Sequence, residues 1–324
     1  MELAFTYEIT IGNYRLSSSA NNRLVQLSVD ASLVVPVNTC TMWLPLLEDM
    51  PLTREMPVVI KLGYRDNNTK AFTGRIHQIE QQLSIWKITV LSSFHTLVTQ
   101  RKNLYFEQST AGVIVADLCQ EAGITPARID PGLQFPFYAL GNRQSLYQHL
   151  RQLADKCGFS LFADENDQLF FGVPVPQLPT VFELGANILA LKLEDKPTSA
   201  SQVEVYGESP ASFGQGITGA SWLTKKEVKG TAGSSSSPGV AIPIPAIRTL
   251  DGAQSAAVAL QQKWKARKTG RLKVLGAAAI KLGQLVKINQ LPSGNLTDVF
   301  TVVGISHLVQ AEQGFLTTIN IQEV

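Results

Sequence analysis

Apolar and polar positions are most clearly ordered between Glu107 and Gly172. Ile114, Leu118 and Ala122 fall on one helical stripe, with Val115 and Cys119 beside it. Thr110, or Ser109 before it, can cap that helix, because a hydroxyl accepts a bond from a free first-turn N–H. Gly123 stands where a left-handed residue ends a helix. Pro126, Pro131 and Pro136 mark an irregular connection. Ser145 opens a second helix with Leu146, Leu150, Leu153, Ala154 and Cys157 on its apolar face, and Gly158 stops it. The period then changes to two. Phe159-Ser-Leu-Phe and Leu169-Phe-Phe read as hairpin strands around the polar turn Asp164 to Asp167. The stretch predicts a small helix-helix-hairpin α/β module.

Both flanks alternate as strands do. Before the module, Phe5, Tyr7, Ile9 and Ile11 alternate with mostly polar neighbours, and Leu27 with Val29 and Met42 with Leu44 continue the pattern. After it come a Pro-rich exit (Pro174, Pro176, Pro179), a strand pair around Ile188 to Leu193, and the strand Gln202-Val-Glu-Val-Tyr. A Gly/Ser/Pro-rich insertion spans 207–245 and reads as a flexible surface loop. Asp251 is placed to cap a helix at about 253–268, with Ala257, Leu260 and Trp264 on one stripe and Gly270 as its stop. Lys263, Lys265, Arg267 and Lys268 would then complement its dipole.

Two distant stretches share a pattern. Val58-Val-Ile-Lys-Leu, Phe72-Thr-Gly-Arg-Ile-His and Trp86-Lys-Ile-Thr-Val run parallel to Leu285-Val-Lys-Ile-Asn, Phe300-Thr-Val-Val-Gly-Ile-Ser-His and Leu316-Thr-Thr-Ile-Asn-Ile. The expected fold is therefore mainly β with α+β character: two related antiparallel β-barrels flanking the α/β module. The expected division is 1–102, 103–200 and 201–324.

Composition adds limits. The 324 residues exceed one small core, and 17 % charged residues with a net charge of +2 leave no electrostatic footprint for nucleic acid. No apolar run reaches the roughly 18 residues of a membrane span. The start MELAFTYEIT lacks a basic region followed by an apolar one, so synthesis in the cytoplasm without a signal peptide is expected. Three cysteines, Cys40, Cys119 and Cys157, sit at apolar positions and read as buried thiols.

Catalytic signatures are missing. His77, His95, His149 and His307 have no metal-ligand spacing, and His77 and His307 read as matching positions on polar strand faces. No GxSxG elbow or phosphate-binding glycine loop occurs. Asp164, Glu165 and Asp167 lack the spacing of a calcium loop and read as a solvated turn. No cofactor and no enzymatic role are expected.

The phrases Thr110-Ala-Gly-Val-Ile-Val-Ala-Asp-Leu, Glu121-Ala-Gly-Ile, Gln144-Ser-Leu-Tyr-Gln-His-Leu-Arg-Gln-Leu-Ala-Asp-Lys-Cys-Gly-Phe and Leu169-Phe-Phe-Gly resemble the phage late control protein D family. Phe72-Thr-Gly-Arg-Ile-His-Gln-Ile is similar to a strand of the VgrG N-terminal hub. The resemblance implies a structural baseplate hub of a contractile injection machine, a phage tail or a phage-derived injection system. It implies a homotrimer of pseudo-sixfold shape that joins a sixfold inner tube to a threefold spike. The implied partners are itself, a spike protein, the tube or its initiator, and other baseplate proteins, within a tail or injection particle. The sequence stops at Val324 without the β-helix needle of VgrG, so either a separate spike chain or a C-terminus that serves as a binding edge is expected. Within a hub, Trp222, Lys225, Lys226 and Lys229 form a candidate contact loop for an acidic partner. A tail-associated cell-wall hydrolase and a free-standing β-rich binding module are the alternatives.

Overall fold

The computed structural model describes residues 5–19, 23–46, 50–65, 67–175, 177–197, 201–208, 228–234, 239–265, 267–291, 298–310 and 313–324. The first β half contains β1 (Phe5–Ile11), β2 (Tyr14–Ser17), β3 (Gln26–Ser32), β4 (Thr39–Pro45), β5 (Pro57–Tyr64), β6 (Asn67–Gln82) and β7 (Ile85–Leu91). The central module follows with α1 (Phe94–Thr99), β8 (Leu104–Thr110), α2 (Ala111–Ala122), β9 (Pro126–Ile129), β10 (Gln134–Leu140), α3 (Leu146–Cys157), β11 (Ser160–Ala163) and β12 (Leu169–Gly172). The remainder holds β13 (Thr180–Glu183), β14 (Ile188–Lys196), β15 (Gln202–Tyr206), β16 (Lys229–Gly233), β17 (Gly239–Pro243), α4 (Leu250–Trp264), β18 (Arg267–Leu275), β19 (Leu285–Asn289), β20 (Phe300–Gln310) and β21 (Gly314–Glu323).

The structure is mainly β, and the two stretches of shared pattern form the same meander. β5 pairs with β6 and β6 with β7, as β19 pairs with β20 and β20 with β21. Among the described residues the halves are not two separately closed rings, however. They merge into one 13-stranded sheet ordered β14-β18-β21-β20-β3-β4-β7-β6-β5-β1-β2, with β19 also on β20 and β13 on β19. The cause is the length of β20, 11 residues. One of its edges serves β21, while the other is divided. Phe300 and Thr301 pair with β19, and Gly304 to Gln310 pair with β3. A bulge between Val302 and Gly304 falls at the division, where an extra residue bends a strand. One pair in this sheet, β13 with β19, is parallel where an antiparallel barrel was expected.

Among the described residues, four apolar cores result. That of the first half collects Tyr7, Ile9, Met42, Ile60 and Leu62, and it also takes Ala278, Val309 and Phe315 from the far end of the sequence. The second half buries Phe182, Leu272, Phe300, Val302 and Ile319. Central residues Phe94, Leu97, Ile114, Leu118, Phe135, Leu150 and Phe171 pack together, so α1, read with the first barrel, belongs to the module's core. Val203 and Val205 of β15 pack on Ala253, Ala256 and Ala257 of α4. Each such large side chain contributes roughly 1.5–3 kcal/mol on burial.

The helix ends of the module follow the sequence closely. Thr110 accepts from Val113 N, and Gly123 is left-handed with φ +67°. Ser145 and Gln148 form a reciprocal capping box, and Gly158 ends α3 with φ +70°. The segment of prolines is irregular only around Pro131, between β9 and β10. Pro126 begins β9, parallel to β12, and Pro136 lies within β10, which pairs only with β8 among the described residues. A two-stranded ribbon tolerates a proline because an N–H on a free edge is not needed.

α4 is displaced from its expected place. Thr249, not Asp251, caps it, accepting from Gly252 N, while Asp251 lies in the first turn. The helix ends at Trp264, and Arg267 onward is strand because β18 is clamped between β14 and β21. Lys263 is therefore the single basic residue of its last turn. Gly270 does not stop a helix; a Cβ there would come 2.7 Å from Lys192 O, so it permits close strand packing. Of the 207–245 insertion, residues 207–208, 228–234 and 239–245 are described, and these are not a flexible surface loop: β16 and β17 pair on either side of β15, and Val228 and Ile244 are buried.

Candidate functional site

The hairpin turn between β11 and β12 is where the parts of the molecule meet. The sequence reading of a solvated turn is corrected here, since each polar group has a structural partner. Asp164 Oδ1 accepts from Asn166 N and Gln168 N, both at 2.8 Å, which closes the turn on itself. Asn166 Oδ1 accepts from Lys70 Nζ at 2.8 Å, and Glu165 O accepts from Thr73 Oγ1 at 2.9 Å. Both donors lie on β6 of the first half. The Glu165 carboxylate pairs with Lys281 of the second half. One turn thus holds both halves of the sheet.

Asp167 reaches a third element. It adopts φ +62°, and its carboxylate accepts from Ser93 N at 2.8 and 3.0 Å and from Ser93 Oγ at 3.0 Å. Ser93 is the N-cap of α1 but makes no capping bond with its own side chain, so Asp167 supplies the acceptor. Burial pushes the Asp167 carboxyl up to about 6, against the opposing effect of the Ser93 bonds. Asn38 completes the joint, donating Nδ2 to Ala163 O at 2.9 Å and its backbone N–H to Ser92 Oγ at 3.1 Å.

Behind the turn lies a cleft of about 320 Å³. Its walls come from β3 and β6 of the first half, from the stacked rings of Phe162 and Phe170 (centroids 4.8 Å apart), and from Ile280, Leu282 and Ile305 of the second half. His307 also borders it. The sequence placed His307 and His77 on polar faces, but His307 is buried. The β20 bulge turns its side chain inward. Thr317 Oγ1 accepts from Ala277 N at 2.9 Å and lies 2.9 Å from His307 Nδ1. Burial drives the His307 imidazole down to about 4, so it is neutral near neutral pH. His77 is half-buried, with its ring 4.8 Å from that of His95.

Trp222, Lys225 and Lys226 of the candidate contact loop lie outside the described residues. Lys229 is in β16, its Nζ 3.1 Å from Glu204 and 5.0 Å from the centroid of the Tyr206 ring. Its cation is thus engaged on its own sheet. All three cysteines are free thiols; Cys40 and Cys119 are buried, and Leu133 N donates to Cys157 Sγ at 3.4 Å. Among the described residues, no three His, Cys, Asp or Glu side chains gather as metal ligands would, and no helix is long and apolar enough to cross a membrane.

No family model matches the sequence, and no curated protein matches it. Solved structures do match. The 43 kDa tail protein of prophage MuSo2 from Shewanella oneidensis aligns over 98 % of both chains with a TM-score of 0.72 at 15 % identity. A tail protein from Neisseria meningitidis aligns over 99 % of this chain and 97 % of its own, with a TM-score of 0.72 at 12 % identity. An Escherichia coli component of the type VI secretion system, described as similar to T4 tail proteins gp27 and gp5, matches 97 % of this chain and 76 % of its own (TM-score 0.59, 9 % identity). A chain of the Francisella PdpA–VgrG complex covers all of this chain, which spans 58 % of it (TM-score 0.57, 12 % identity). The chain has the fold shared by these phage tail proteins and type VI secretion components.

Proposed function

We propose that this chain is the structural baseplate hub of a contractile injection machine. One observation carries the reading: two like meanders lie on a single sheet, and one turn fixes the angle between them. Three such chains would present six similar surfaces in a ring. That ring matches a sixfold tube on one side while keeping threefold symmetry for a spike on the other. Matches to tail proteins along nearly the whole chain support it, as does a match within a complex that contains VgrG. The role is scaffolding rather than catalysis, in a homotrimer within a tail or injection particle. Spike, tube and baseplate proteins are its partners. Trp222, Lys225 and Lys226 remain the proposed contact residues of the insertion, since Lys229 is already held by Glu204.

Light scattering on the purified chain, followed by negative-stain imaging, tests this. A trimer whose averages show six outer lobes is expected. A monomer that persists at high concentration would overturn the hub reading.

A further inference from the structure

A second concavity, of about 470 Å³, lies between α3 and the ribbon of β8 and β10. Its lining includes Arg143 and Lys156, with Gln144, His149 and Gln152, and among the described residues no acidic one. Lys156 is half-buried in the last turn of α3. Its ammonium stands over the rings of Phe135 and Tyr138, 5.9 and 5.4 Å from their centroids. Among the described residues it has no carboxylate partner, and neither does Arg143. Burial of an ammonium without a counter-charge is costly, and here it holds the Lys156 pKa below its ordinary value.

The nearby acids Asp155 and Glu208 are already committed. Asp155 pairs with Arg151 at 3.2 Å and Lys263 at 2.9 Å. Glu208 pairs with Arg248 at 2.7 Å, while Glu107, which accepts from the Tyr105 hydroxyl at 2.6 Å, keeps its charge at the rim opposite Phe137. His149 adds a fixed feature: its Nε2 lies 3.1 Å from Gly141 O, a group that only accepts, so Nε2 carries the proton. The groove therefore offers two cations with no carboxylate partner among the described residues, beside the side-chain amides of Gln144 and Gln152, a charge pattern complementary to carboxylates.

Its rim identifies the carrier of those carboxylates. Tyr105 and Phe137 stack with centroids 6.0 Å apart, and both are exposed. Arg248 covers the Phe137 ring at 5.3 Å. β10 has β8 as its one partner strand among the described residues, and its residues Phe137 to Ala139 border the groove. A free anion would need only the cations. An aromatic platform and an unpaired strand edge beside them suit an extended polypeptide, which adds main-chain bonds to charge contacts. We propose that this groove binds an acidic, extended segment of a partner protein, with its carboxylates on Lys156 and Arg143 and an apolar neighbour on Tyr105 and Phe137. The proposal does not depend on the hub reading, because the groove is formed within one chain.

The full chain should be titrated into two fluorescein-labelled peptides that alternate Glu or Gln with Val and Phe, read by anisotropy. The Glu peptide is expected to bind about tenfold more tightly than the Gln peptide, an advantage that shrinks at high salt. K156Q and R143Q should each weaken it by about fivefold, while K156R restores most of the loss and K87Q, on a distant strand, changes nothing. Circular dichroism of K156Q confirms that the fold survives; if that variant unfolds, R143Q alone decides. Equal binding of the two peptides, or undiminished binding by the variants, would overturn the proposal. Inorganic phosphate displacing the peptide at equal concentration would also overturn it, by showing a simple anion pocket.

Discussion

Asp167 and His307 show how burial sets opposite pH responses in one molecule. The Asp167 carboxyl stands at about 6 in the fold against an ordinary 3.8, so folding favours its protonated form. Its contribution is fully present below about pH 4 and is lost as the pH rises through about 6. His307, lowered from 6.5 to about 4, behaves the other way: its contribution is present above about pH 6.5 and is lost as the pH falls through about 4. Asp167→Asn separates the two, because the amide oxygen still accepts from Ser93 but no longer titrates. Urea unfolding of both proteins should show the wild type losing on the order of 2 kcal/mol relative to the variant between about pH 4 and about pH 7. Parallel profiles would contradict this account. Neither residue could be read this way from sequence. The partners of the acidic turn lie far off, with Ser93 separated from Asp167 by 74 positions and Lys281 from Glu165 by 116. A cluster of carboxylates with remote partners looks, locally, like any solvated turn.

Elements whose ends are set by their own hydrogen bonds were legible. Thr110, Gly123, Ser145 and Gly158 each act within a turn of the residues that reveal them. α4 was misplaced at both ends because competition decides it: Thr249 wins over Asp251 as cap, and sheet pairing claims Arg267 to Leu275. Gly158 also does more than end its helix. A Cβ there would stand 2.9 Å from Ala259 Cβ of α4, and Lys263 of α4 pairs with Asp155 of α3 at 2.9 Å. Gly158→Ala combines a strained left-handed backbone with a clash between helices, and should cost about 1–3 kcal/mol. Thermal unfolding measures it. A variant as stable as the wild type would show that α4 can move away freely.

At the scale of the whole molecule, the meanders were visible as repeated patterns but the seam between them was not. Pairing of β3 with β20 leaves no local trace, since both strands alternate as they would in separate barrels. The seam has a thermodynamic consequence. Val309 and Phe315 complete the core of the first half, so the first half is not closed without the second. With Trp222→Phe and Trp264→Phe in place, fluorescence from Trp43 and Trp86 of the first half should therefore change at the same denaturant midpoint as far-ultraviolet circular dichroism of the entire chain. Two separated transitions would refute that coupling.

The divided strand β20 also bears on how the protein is made. During translation the first half emerges long before its partner strands exist. Tyr64 and Phe315, 251 positions apart, join only once β21 has left the ribosome. Until then the nascent chain carries an open β3 edge beside an unfinished core, the kind of surface on which neighbouring polypeptides pair by mistake. A yield that improves when synthesis is slowed is the expected consequence of building one sheet from strands so far apart in the sequence.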